Sequence, residues 1–155
     1  MKTPIRYAGG KSKAIKIITP FISGADKIVS PFLGGGSLEV HWASMGKQVI
    51  GYDLFDVLVN FWDVLLNNKT ELVEKLKEIV PTSDEYSRVK EILMKWDNTQ
   101  EMLKDWKTEH YKREDIITLD NITAAAYYYF NHNTSYGPGY LGWGSSVYLQ
   151  PKKME

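Results

Sequence analysis

The segment Ile28-Val29-Ser30-Pro31-Phe32-Leu33-Gly34-Gly35-Gly36-Ser37, running on into Leu38-Glu39-Val40-His41-Trp42, reads as a short apolar strand, a glycine turn and a helix opened by a small hydroxyl residue. Three consecutive glycines suit neither a helix nor a strand interior, so they belong to the turn. Without Cβ atoms there, a ligand can lie against bare backbone, and the helix behind presents unpaired N–H groups. A second apolar run, Gln48-Val49-Ile50-Gly51-Tyr52, ends in Asp53. An acid ending the second strand after a glycine turn is the arrangement that hydrogen-bonds a ribose in nucleoside-binding α/β folds. An ordinary βα turn followed by a helix-capping aspartate has the same pattern, so this stretch leaves two readings open.

Upstream, Pro4-Ile5-Arg6-Tyr7-Ala8-Gly9-Gly10-Lys11 precedes Ser12. Gly10-Lys11-Ser12 hints at a phosphate-binding P-loop, but that motif needs a glycine where Ile5 stands, and no strand comes before it. A nucleoside triphosphatase is therefore excluded. What remains is a tight turn holding an aromatic, which can stack on a base or meet a cation, beside a lysine suited to a carboxylate or phosphate. Residues 14–22 read as a short helix broken at Pro20.

A chain of 155 residues fits one domain and buries a real core. Its 19 basic and 19 acidic residues cancel, so no global field pulls it toward nucleic acid or membrane. Locally, Lys2, Arg6, Lys11, Lys13, Lys16 and Lys27 face only Asp26 in the first 27 residues, a basic arm able to meet an anion or simply solvated. The absence of cysteine excludes disulfides and thiolate metal sites. No apolar run is long enough to cross a bilayer and no signal-peptide pattern opens the chain. A soluble intracellular protein is expected, with neither metal nor membrane among its partners.

Downstream, apolar residues at 54, 58, 61, 62 and 65 have helical spacing and suit a helix covering the sheet, with Phe61 and Trp62 in the core. Residues 71–80 form a second helix ended by Pro81, and Ser83 or Asp84 caps a third with Tyr86, Val89, Leu93 and Trp96 as its stripe. Met102, Leu103 and Trp106 offer one weak helical face in a polar segment. A helix over residues 122–130 then gives way to a loop rich in glycine, aromatics, amides and hydroxyls. Asparagine reads adenine edges, and aromatics stack on unpaired bases. The loop from Asn131 to Trp143 offers little to bury and is expected to be mobile without DNA. The boundaries expected are an α/β part over 1–70 and a helical and loop region over 71–155, which the resemblance described next makes the cofactor-binding part and the target-recognition region.

Tyr7-Ala8-Gly9-Gly10-Lys11, then residues 31–37, then Asp53, resemble in order the opening motifs of the Dam-type DNA adenine-N6 methyltransferases. Tyr7 stands where tryptophan is usual, which keeps a stacking face. The resemblance implies a Rossmann-like sheet that binds S-adenosylmethionine, with a helical insertion and target-recognition region beside it. It places Tyr7 and Lys11 in the cofactor site, passes the Phe32, Gly34, Gly36 and Ser37 loop beneath the methionine moiety, and assigns the ribose hydroxyls to Asp53. It also likens the loop after Phe130 to the part that enters duplex DNA, with Asn131, Asn133, Ser135 and Tyr136 as candidate contacts.

The resemblance departs at one point. The family's catalytic motif, an acidic or amide residue followed by Pro-Pro and an aromatic, comes after the target-recognition region, and no two of the six prolines here are adjacent. That motif holds the flipped adenine. No catalytic residue is therefore expected in this chain, its sheet is expected to be incomplete with an exposed edge, and it is expected to be inactive alone. A split or truncated methyltransferase completed by a second chain is one reading. A non-catalytic methyltransferase-like protein that binds DNA or protein is the alternative.

Overall fold

A computed structural model describes residues 2–96, 117–137 and 139–150. Contacts gather the chain into two compact units, Met1–Leu54 and Phe55–Glu155.

The first unit begins with short helical turns: a 3-10 turn at Ser12–Ala14, α1 (Ile15–Ile18) and a second 3-10 turn at Thr19–Ile22. Pro20 lies at the start of that last turn, where its missing N–H is least felt, so the helix changes pitch at its proline. Strand β1 (Lys27–Ser30), helix α2 (Ser37–Ser44) and strand β2 (Gln48–Gly51) then make one parallel βαβ unit. Lys27 pairs with Gln48 and Ser30 with Gly51, and these two strands are the sheet among the described residues. Along β1, burial alternates, with Ile28 and Ser30 covered and Lys27 and Val29 exposed, the period of a strand with one face on a core. The pairing runs on past β1, because Tyr52 N–H donates to the Ser30 carbonyl and Leu33 N–H to that of Tyr52, each at 2.8 Å. This holds the glycine turn beside Asp53.

The second unit is helical: α3 (Asp56–Asn67), α4 (Lys69–Lys77), α5 (Ser83–Lys95) and α6 (Asn121–Thr134). Helix α6 is its centre and packs on the other three. Ala124, Ala125 and Ala126 are fully buried on it, and such small side chains let neighbouring helices come close. Phe61 on α3 stacks on Tyr129 of α6 with ring centroids 5.6 Å apart, a contact worth about 0.5–1.5 kcal/mol beyond the area it buries. Phe61 and Trp62 are core, and α3 buries Val57, Leu58 and Val64 with them.

Three helices differ from expectation at their ends. Helix α4 runs Lys69–Lys77 rather than over 71–80, stopping three residues before the expected end, so Pro81 is not what terminates it. The N-cap of α5 is Thr82, whose hydroxyl accepts the Glu85 N–H at 3.2 Å, rather than Ser83 or Asp84. Helix α6 starts at an Asp120 cap accepting the Thr123 N–H at 2.8 Å and runs through Thr134, past the expected end at residue 130. Asn131, His132 and Asn133 carry no backbone restriction that stops a helix, and the turn is left only where Ser135 adopts extended backbone. The weak face at Met102, Leu103 and Trp106 lies outside the described residues.

Candidate functional site

The glycine turn is shaped by three anchors. Asp53 accepts the Gly34 N–H through Oδ2 at 2.8 Å, Gly36 N–H donates to the Leu33 carbonyl at 2.9 Å, and the Thr3 hydroxyl donates to the Gly35 carbonyl. Gly34 (φ 50°) and Gly36 (φ 66°) occupy the left-handed region, which costs glycine least. Gly36 then leads directly into α2 as its N-cap.

Gly35 meets a packing requirement that the sequence does not show. A Cβ built there would stand 2.4 Å from Cβ of Tyr7. The Tyr7 side chain packs against this part of the turn, which also lines the cavity described below. Tyr7 belongs to a tight turn of its own, closed by the Gly10 N–H to the Tyr7 carbonyl at 3.1 Å. Burial first, and then the charge of Asp53, hold the Tyr7 phenol above its ordinary pKa, so it stays neutral at physiological pH. In that turn the exposed Lys11 rests its Nζ on the Gly9 carbonyl at 2.7 Å.

Tyr7 and Lys11, the turn residues Phe32, Gly34, Gly36 and Ser37, and Asp53 all line one cavity of about 330 Å³. All seven residues that the sequence offered as cofactor-binding are thus brought together. Glu39, on the first turn of α2, lines the same cavity and was not singled out in the sequence. Among the described residues no group of three or more metal-ligating side chains is placed to hold a metal ion, and no described helix is long and apolar enough to cross a membrane.

The loop after α6 is framed rather than loose. Ser135 and Gly144 form an antiparallel bridge, with Tyr136 N–H donating to the Trp143 carbonyl at 2.7 Å and Ser145 N–H to that of Thr134 at 2.9 Å. Asn131, fully buried on α6, accepts the Leu141 N–H at 2.8 Å and fixes that leucine at a left-handed φ of 58°. Ser135, also fully buried, donates to the His132 carbonyl at 2.8 Å. Tyr86 and Lys90 of α5 both donate to the Gly142 carbonyl, at 2.9 and 3.1 Å. Tyr140 packs edge-on against Phe55, centroids 5.3 Å apart, and burial, with the charge of Asp56 second, holds its phenol far above the ordinary value.

Of the four side chains offered as DNA contacts, Asn131 and Ser135 therefore face inward and build the loop's frame. Their short polar groups satisfy backbone that a fully exposed loop would leave to water. Asn133 is half-buried and Tyr136 is 81% exposed, as is Trp143 at 84%. Trp143 carries no reading of its own in the sequence; its outward position follows from the bridge, which sets it opposite Tyr136.

The profile of the D12 class N6 adenine-specific DNA methyltransferases matches residues 7–154. The chain belongs to that family. The matched span begins at Tyr7, the residue that packs on the glycine turn, and takes in the framed loop after α6. Comparison with curated proteins yields no match. For a D12-class chain the reaction class is methyl transfer to the N6 amino group of adenine in DNA.

Proposed function

We propose that this chain is the cofactor-binding and DNA-reading part of an adenine-N6 methyltransferase, built on a Rossmann-like sheet and using S-adenosylmethionine. The observation that carries the reading is the single cavity shared by Tyr7, Lys11, the glycine turn and Asp53. Its volume of about 330 Å³ lies within the usual range of small-molecule sites. The donor set fits the cofactor, which has no phosphates: a lysine for its carboxylate, a carboxylate for its ribose hydroxyls, and bare backbone between them. A carboxylate has about four lone-pair positions, so Asp53 can hold the Gly34 N–H and a ribose hydroxyl together. When bound, the cofactor supplies a methyl group carried on a sulfonium.

On the DNA side, Tyr136 and Trp143 are the exposed stackers and Asn133 the polar reader, while Asn131 and Ser135 keep the loop in shape. Aromatic–base stacking is worth roughly 1–3 kcal/mol per base, enough for a short loop to matter. Holding a flipped adenine for in-line transfer needs further groups, and we assign these to a Pro-Pro-aromatic motif that the 155 residues do not contain. Another polypeptide segment supplies it.

The test is transfer of labelled methyl from S-adenosylmethionine to duplex DNA. No transfer is expected from this chain alone, and transfer is expected once a segment bearing the motif is added. Transfer by the chain alone overturns this division of labour. The alternative, a non-catalytic DNA- or protein-binding role, predicts that binding is retained and that no added segment restores transfer.

A further inference from the structure

Glu39 is a buried acid that neither the family match nor the sequence motifs account for. It is 9% exposed, yet it lines the cavity. Its place in the first turn of α2 suits a carboxylate, because the helix N-terminus carries partial positive charge. Side chains on a helix tilt toward its N-terminus, which here is the glycine turn. The Ser30 hydroxyl, at the end of β1, donates to Glu39 Oε1 at 2.6 Å. Among the described residues that hydroxyl is the only hydrogen-bond donor to the carboxylate.

The hydroxyl answers one oxygen of the carboxylate, and a neutral donor leaves its negative charge available to a cation in the cavity that it lines. The cavity's own cation, Lys11, is exposed, with its Nζ resting on the Gly9 carbonyl. Counting formal charges, two acids, Glu39 and Asp53, face one lysine around the cavity. A ligand that brings a cation to the first turn of α2 would complete the set.

We infer that Glu39, oriented by Ser30, receives the ammonium group of the cofactor's amino-acid end, while Lys11 takes the carboxylate of that same end. This rests on the proposed S-adenosylmethionine site and names the residue that selects its zwitterionic tail. The ammonium belongs to the amino-acid end and not to the nucleoside end, so the assignment requires that removing the Glu39 charge weaken binding of the first and leave binding of the second unchanged.

That separation gives the test. Calorimetry on the full chain measures binding of S-adenosylmethionine, of S-adenosylhomocysteine, which keeps the amino-acid end but has no sulfonium charge, and of 5′-methylthioadenosine, which has neither, and the two ligands that share the amino-acid end should respond alike. Glu39→Gln keeps an acceptor for the Ser30 hydroxyl and removes the charge. S-adenosylmethionine should bind about tenfold more weakly to it, the scale of a hydrogen bond to a charged group, with 5′-methylthioadenosine unchanged. Ser30→Ala should show the same split, more weakly, because the charge stays but is no longer aimed. Unchanged S-adenosylmethionine binding in Glu39→Gln overturns the assignment. So does an equal loss of all three ligands, the signature of a purely structural acid. If the wild-type chain binds none of the three, the cofactor site itself fails and the assignment falls with it.

Discussion

Gly35 packs so closely on Tyr7 that no side chain fits between them. Three glycines announce a turn that needs close approach, and the turn is there. The group approaching Gly35, however, is Tyr7, twenty-eight positions upstream, and nothing in local sequence says so. Gly35→Ala would set a Cβ 2.4 Å from Cβ of Tyr7, a clash that no rotamer change relieves because both atoms are fixed to the backbone. A loss of about 1–3 kcal/mol is expected from such overpacking, read as a lowered melting midpoint. Most of it should return in the double variant with Tyr7→Gly, because the two positions share one contact. Equal losses in the two backgrounds would show that Gly35 is needed for its own backbone instead. Glu39 was likewise illegible: its importance depends on a hydroxyl nine residues earlier, across a turn whose shape is a tertiary fact.

At the scale of elements, the order strand, glycine turn, helix, strand was legible because each piece has a local cause: apolar runs, conformational freedom, a helix start. The end of α6 was not. Residues 131–134 look like loop by composition, and they continue a helix because its buried face demands one more turn. The loop beyond it is accordingly held by Asn131, Tyr86 and Lys90 rather than left free. Slow hydrogen exchange is therefore expected at the Tyr136, Leu141 and Ser145 amides in the absence of DNA. Asn131→Ala removes the acceptor that holds Leu141 at positive φ, and should speed exchange at Leu141 while costing about 1–3 kcal/mol for the orphaned donor. Fast exchange at these amides in the unaltered chain would mean the frame does not persist in solution.

For the molecule as a whole, the family and its reaction class were legible in three short motifs taken in order, and the family profile spans the same residues. Where the chain divides into compact units depended on which helices pack together, and α3 finds its partner in α6, more than fifty residues away. The proposed S-adenosylmethionine site lies wholly within the first unit, in the cavity bounded by the glycine turn and Asp53. Titration calorimetry of the cofactor into the wild-type chain and into Asp53→Ala tests it most directly. The wild-type chain should bind, and the variant should bind more weakly by about 1–3 kcal/mol, because Asp53 holds the Gly34 N–H and, under the proposed function, also accepts a ribose hydroxyl. No binding by the wild-type chain, or equal affinity in the two, would contradict it.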